Sequence, residues 1–243
     1  LTGANLTGAN LEGVDLTNAD LHGVNLSSAK MSGTDLSWAI LTGATFDGVS
    51  SGGITGRPAS LPTSWKLIKG YLIGPKSQLA YADLRGADIA GTDLTGAVLT
   101  GAMLDDITSG GITGRPASLP TSWKLIKGYL IGPTANLRSA KLESTNLRGM
   151  NLERTKLTGA NLRNANLSGA NLSGVTLGGA DLYGANLYGV KSGGIVGKPT
   201  RLPLALAAFG KKRRLLSWRL IDGYLVGPHA TLTGMDLSGV CLL

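Results

Sequence analysis

Between residues 158 and 187 the chain reads TGANL RNANL SGANL SGVTL GGADL YGANL, six five-residue units in unbroken phase. Each ends in Leu and carries Ala or Val two residues earlier. A period of five matches neither the roughly 3.6 residues of a helical turn nor the alternation of a lone strand, so the chain is a stack of repeats before it is a list of elements.

The same unit recurs in four blocks, with centres from Leu1 to Phe46, Leu79 to Leu104, Leu137 to Leu187 and Leu232 to Leu242. Of the 30 centres 27 are Leu, and Met31, Phe46 and Ile89 fill the rest. Ala stands two residues before the centre in 18 of 29 cases. Side chains two apart on an extended backbone face the same way, so Leu and the small residue point inward together. The residue between them, usually Asn or Asp, and the Gly-, Ser- and Thr-rich pair after the Leu then face solvent or turn a corner.

This pattern resembles the pentapeptide-repeat proteins, whose motif is A(D/N)LXX, over about 150 residues. The resemblance implies an all-β fold, a right-handed quadrilateral parallel β-helix in which four pentapeptides form the four sides of one coil. The volumes agree with it: Leu on four sides fills a narrow tube, and a larger residue at each Ala would overpack it. Residues twenty apart are then expected to lie above one another. That places Asn146, Asn166 and Asn186 on one ladder, and Glu143, Arg163 and Tyr183 on another.

Three insertions interrupt a single repeat domain spanning residues 1–243: 51–75, 109–133 and 192–228. The first two are identical over all 25 residues, SGGITGRPASLPTSWKLIKGYLIGP. The third keeps SGGI, the Trp and a GYLVGP ending, and adds twelve residues between Pro203 and Trp218. Each leaves the coil where a Ser replaces the Leu. The segment WKLIKGYLI reads as a β-hairpin about Lys69 and Gly70, and Asp222-Gly223 at the same place in the third copy is the stronger type I′ turn signal. Arg57-Pro58 and Leu61-Pro62 predict an irregular, extended lead-in. In the third insertion PLALAAF, with Pro203 at its start and Gly210 at its end, predicts one short helix. The exits are 58 and 83 residues apart, five sides different, so three insertions on a four-sided coil cannot all occupy one face.

Charge divides unevenly. The insertions hold 13 basic residues against one acid, Asp222, a net +12 within a total of +8. Residues 1–50 and 76–108 carry −4 and −3, and residues 134–191 carry +4. Such asymmetry orients association with another charged body. The candidate partner-binding residues are therefore the cations and indoles of the insertions: Trp65, Lys66 and Lys69; Trp123, Lys124 and Lys127; and Lys211, Lys212, Arg213, Arg214, Trp218 and Arg219.

Little points to chemistry. His22 and His229 stand in no metal-ligand spacing, and the lone Cys241 excludes an intrachain disulfide or thiolate cluster. The aspartates recur as the polar residue of the repeat. No catalytic residue, cofactor or metal site is expected, and no run is long enough for a transmembrane segment. The expectation is a non-enzymatic structural or interaction module, a rigid β-helical rod presenting basic hairpins to an acidic partner. Leu1 and Leu243 stand in repeat stretches without a capping helix, so either the chain continues or copies associate end to end. The resemblance also brings an alternative, because some pentapeptide-repeat proteins modulate bacterial DNA gyrase by imitating the shape and negative charge of duplex DNA. A net charge of +8 departs from that pattern. Direct nucleic-acid contact through the insertions is the remaining alternative.

Overall fold

The computed structural model describes residues 1–209 and 212–227. The fourth repeat block, with His229 and Cys241, and also Gly210 and Lys211, lie outside the described residues. Contacts divide the chain into two compact units, Leu1–Leu130 and Ile131–Leu243.

Both units are built from single parallel bridges spaced twenty residues apart. In the first, Asn5 bridges Asn25 and Asn25 bridges Thr45; in the second, Asn146 bridges Asn166 and Asn166 bridges Asn186. Each five-residue unit supplies one bridge, so four units close one coil. Successive coils are joined from both sides of the strand residue: the amide of Asn25 donates to Ala4 O (2.9 Å), and Asn25 O accepts from Leu6 N (2.8 Å).

Local sequence explains each side. The Asn or Asp of the repeat accepts a hydrogen bond from the amide two residues on, as from Thr17 to Asp15 (2.8 Å) and from Ser173 to Asn171 (3.1 Å). This Asx turn starts the corner. The second corner residue takes a positive φ, which is why glycine recurs there, for example Gly43 at 73°. Leu21, Leu26, Leu36 and Leu41 are fully buried, as are Ala29 and Ala39 beside them. Where Thr replaces Ala, its hydroxyl donates to backbone carbonyls: Thr34 to Leu11 and Met31, both 2.9 Å. Among the described residues no buried side-chain polar atom lacks a partner.

The insertions stay on the coil longer than their composition suggests. Thr55 bridges Asp35 and Ser60 bridges Ile40, just as Thr113 bridges Asp93 and Ser118 bridges Val98. Pentapeptide phase therefore runs through residues 51, 56 and 61, with Ser and Gly at the first two centres and Leu61 restoring the third. The lead-in predicted to be irregular is two degenerate repeats. Gly56 is needed because its φ is 73° and a Cβ there would lie 2.2 Å from Ser37 Oγ.

Only then do the hairpins form. β1 (Lys66–Ile68) pairs antiparallel with β2 (Tyr71–Ile73), and β3 (Lys124–Ile126) with β4 (Tyr129–Ile131). In the third insertion β5 (Leu204–Phe209) pairs with β6 (Lys212–Ser217), and β7 (Arg219–Ile221) with β8 (Tyr224–Val226). The turns have positive φ at both central residues, 52° and 77° at Lys69-Gly70 and 45° and 78° at Asp222-Gly223, the signature of type I′. The helix expected from PLALAAF is a strand instead. So short a helix is marginal by itself, whereas the register from Leu204 against Ser217 to Phe209 against Lys212 satisfies the backbone along its whole length.

The serine that replaces Leu has a specific task in each copy. Ser51 Oγ accepts from the amide of Leu72 (2.9 Å), Ser109 Oγ from Leu130 (3.0 Å) and Ser192 Oγ from Leu225 (3.0 Å). Those three leucines are fully buried, and Leu72 joins the core cluster of Val49 and Ile54. The hairpin thus supplies the apolar bulk that Ser51 and Gly56 lack. Within the first unit, one insertion leaves from the row Lys30, Ser50, Gln78 and Val98; the other leaves from the row Asp88 and Thr108, two sides further round. These two hairpins therefore occupy opposite faces. Among the described residues no helix is long and apolar enough to cross a membrane.

Phe46, 1% exposed, packs its ring 5.0 Å from that of Trp65 and so ties the core to the first hairpin. Phe46→Ala is expected to cost about 3–5 kcal/mol in denaturant unfolding. Its amide-exchange signature is faster exchange at Leu72 than in the parent while Leu130, in the second copy of the same hairpin, changes much less.

Candidate functional site

The hairpins separate the candidate residues by chemistry. Their indoles are turned inward. Trp65 is half-buried against Phe46 and over Gly74, where a Cβ would lie 2.4 Å from the ring; Trp218 is buried over Gly227 in the same way, at 2.3 Å. Trp123 is half-buried against the second core cluster. Gly74 and Gly227, each before the final Pro of its insertion, are therefore the seats of Trp65 and Trp218, which fix their hairpins rather than offering an anchor.

The cations are exposed. In the first hairpin Lys66 Nζ donates to Ala90 O (2.6 Å) and Lys69 Nζ to Arg85 O (2.5 Å), so both ammonium groups lie along the following coil. Lys124 and Lys127 of the second hairpin and Arg219 of the third are exposed. Because the first two hairpins lie on opposite faces, Lys66 and Lys69 do not join Lys124 and Lys127 in one patch. Lys212, Arg213 and Arg214 stand on β6, in register with Phe209, Ala208 and Ala207.

The acidic coil beneath is largely occupied with its own backbone and neighbours. Asp83 binds Arg85 through both oxygens (2.9 and 2.7 Å), and that contact, with the Arg85 amide, holds its carboxyl far below the usual carboxylate range. Asp15 and Asp20 are lowered by hydrogen bonds from Thr17 and His22 respectively. Among the described residues no group of three His, Cys, Asp or Glu side chains could hold a metal ion.

In the second unit the expected ladder forms a charged network. Arg163 approaches Glu143 at 4.0 Å and Asp181 at 3.6 Å, and its guanidinium lies 5.3 Å from the centre of the Tyr183 ring. Arg201 pairs with Asp181 and lies over the same ring at 5.6 Å. Burial alone would raise the Asp181 carboxyl; the Tyr183 amide and the two guanidinium groups outweigh it and hold it below its ordinary value.

Of the aromatics that face solvent, sequence reasoning placed Tyr183 on its ladder and passed over Trp38, Tyr81 and Tyr188. Trp38, Tyr81, Tyr183 and Tyr188 all stand in the corner pair after a Leu, which never points inward. An aromatic at that place in the repeat was the available signal.

The profile for pentapeptide repeats matches eight copies, over residues 1–33, 19–50, 77–107, 135–174 and 160–191, together more than half of the chain. None of the curated proteins compared with the sequence matches it. Among solved structures, HetL, a pentapeptide repeat protein involved in heterocyst differentiation regulation from the cyanobacterium Nostoc sp. strain PCC 7120, is 26% identical, with 82% of this chain and 85% of that one covered and a TM-score of 0.26. A pentapeptide repeat protein from Cyanothece 51142, Rfr23, is 22% identical over 81% and 90%, at 0.20. QnrB1, a plasmid-mediated fluoroquinolone resistance protein, is 16% identical over 82% and 89%, at 0.28.

The Asp181 network makes a pH prediction. A carboxyl lowered on folding stabilises the fold above the unfolded pKa, about 3.9, and loses that contribution as pH falls through the folded value. The stability difference between the parent and Asp181→Asn is expected to be largest near pH 6 and to shrink below pH 4, measured by urea unfolding across that range.

Proposed function

The chain belongs to the pentapeptide-repeat family, with its right-handed β-helical fold, and from that premise we propose that it is a non-enzymatic interaction module whose basic hairpins receive an acidic protein partner. One observation carries this reading: the hairpins turn their indoles against the core and expose their cations. Lys66, Lys69, Lys124, Lys127 and Arg219 stand outward on segments seated by Trp65, Trp123 and Trp218. A seated hairpin holds its charges in place before the partner arrives, which lowers the ordering cost of binding.

Acidic protein fits better than nucleic acid. The coil walls of the first unit carry aspartates between the hairpins, and a continuous phosphate backbone running along them meets like charge. A partner with local acidic segments meets only the hairpins. The same cations argue against imitation of duplex DNA, which calls for negative charge along the surface.

The test is fluorescence anisotropy with labelled poly-L-glutamate and with a labelled 20-base-pair duplex, each across a salt series. Poly-glutamate is expected to bind at low salt and to lose about tenfold in affinity when Lys66, Lys69, Lys124 and Lys127 are all changed to Gln, since each exposed pair contributes about 0.2–1 kcal/mol. Tighter binding of the duplex with a steep salt slope would transfer the assignment to nucleic acid. Binding of neither probe near 20 mM salt removes the hairpins as the docking surface.

A further inference from the structure

Trp38 is 70% exposed, with φ at 61°, on a corner where glycine is the commoner occupant. Its amide donates to Arg57 O (2.9 Å), which places it beside the first insertion where that segment still follows the coil. Ser37, Trp38, Arg57, Pro58 and Ala59 line a cavity of about 390 Å³. The Arg57 side chain is exposed and makes no hydrogen bond or ion pair among the described residues. Nearby Asp35 has its Oδ1 engaged by the amide and hydroxyl of Ser37 (2.8 and 2.7 Å). Ile40, two residues on and 42% exposed, stands on the next side of the coil.

The chain contains its own comparison. The identical second insertion places Arg115, Pro116 and Ala117 on the coil in the same way, with the amide of Gly96 donating to Arg115 O (2.8 Å). The glycine there leaves Arg115 without a ring beside it. In the third insertion the partner residues are Gly179 and Lys198 (2.9 Å). An indole next to a fork-shaped cation thus occurs at one of three otherwise equivalent places.

We propose that the Trp38–Arg57 notch is a docking site for a short extended peptide of a partner protein, one that presents an aromatic or large apolar residue next to a carboxylate. The carboxylate pairs with the Arg57 guanidinium, whose planar fork suits it in a way a lysine does not. The neighbouring side chain lies on the Trp38 indole and Pro58, where an exposed tryptophan gives the most contact area for the least ordering. The volume lies toward the small end of the roughly 300–1,000 Å³ range of ligand clefts, which suits two side chains better than a folded domain. Arg57 gives charge complementarity to a single carboxylate, while the neighbouring Asp35, its Oδ1 held by Ser37, disfavours a run of negative charge such as a nucleic-acid backbone. The hairpin lysines take no part, so this site stands or falls independently of them.

The test follows the indole N–H resonances of the full chain while the dipeptide N-acetyl-Phe-Glu-amide is added, with Trp38 assigned by Trp38→Phe. A saturable shift of the Trp38 resonance is expected at millimolar concentration, with Trp65 and Trp123 unmoved. N-acetyl-Phe-Gln-amide and N-acetyl-Ala-Glu-amide are expected to bind at least about fivefold more weakly, the loss of one charge-assisted hydrogen bond or one ring contact. Arg57→Gln is expected to abolish the shift and Arg115→Gln, in the identical segment, to leave it intact; both side chains are exposed and neither change threatens folding. No saturable shift with Phe-Glu, equal binding of all three dipeptides, or equal effects of the two arginine substitutions would overturn the proposal.

Discussion

Everything in this molecule rests on the backbone hydrogen bonds between one coil and the next. Each side of the coil is held by a single bridge, flanked by amides and carbonyls that pair twenty residues up and down the chain. A lone bridge has almost no stability by itself. It persists because every neighbouring coil repeats it at the same place, which is the nearest-neighbour economy of a solenoid. The interior then has little freedom: with the backbone wound that tightly, Leu and Ala fill most inward positions, Phe46 and Met150 are exceptions, and a Thr enters where its hydroxyl can return to a carbonyl of the coil.

The insertions are solutions to a packing deficit. Ser51 and Gly56 cannot fill the core, and the hairpin folds back to place Leu72 in it, while the serine hydroxyl caps the amide of that same leucine. Trp65 closes the hairpin over a glycine that has no Cβ to obstruct it. The same three contacts recur around Ser192, Leu225 and Trp218. Hairpin and coil are therefore one packed unit, and the lysines on the outside are held on a firm base. Electrostatics follows the same division: the aspartates of the coil face the solvent but are tied to local amides and hydroxyls, and the insertions carry the surplus of positive charge.

Much of this was legible from residue order. The five-residue phase, the inward Leu and Ala, the twenty-residue ladders of Asn146 and of Glu143, and the type I′ turns at Lys69-Gly70 and Asp222-Gly223 all follow from steric and turn chemistry that acts within a few residues. The continued phase at residues 51, 56 and 61 was present too, concealed because Ser and Gly stood at the centres. PLALAAF misled for a related reason: helix formers state a local preference, and the pairing strand, with partners three to thirteen residues away, decided the outcome.

The candidate site was less legible. Composition singled out the tryptophans of the hairpins together with the lysines, but a ring and an ammonium on adjacent residues have opposite destinations once a core is available. Trp38 drew no notice as an isolated aromatic in a repeat. The sequence by itself determined the coil, its period, the corners and the sign of charge on each segment, because those depend on side-chain size, backbone preference and formal charge. Tertiary structure decided which aromatics are seated and which are exposed, that the first two hairpins face opposite ways, and that Trp38 meets Arg57 nineteen residues on. Those outcomes depend on how the winding brings distant residues together, and no local preference encodes them.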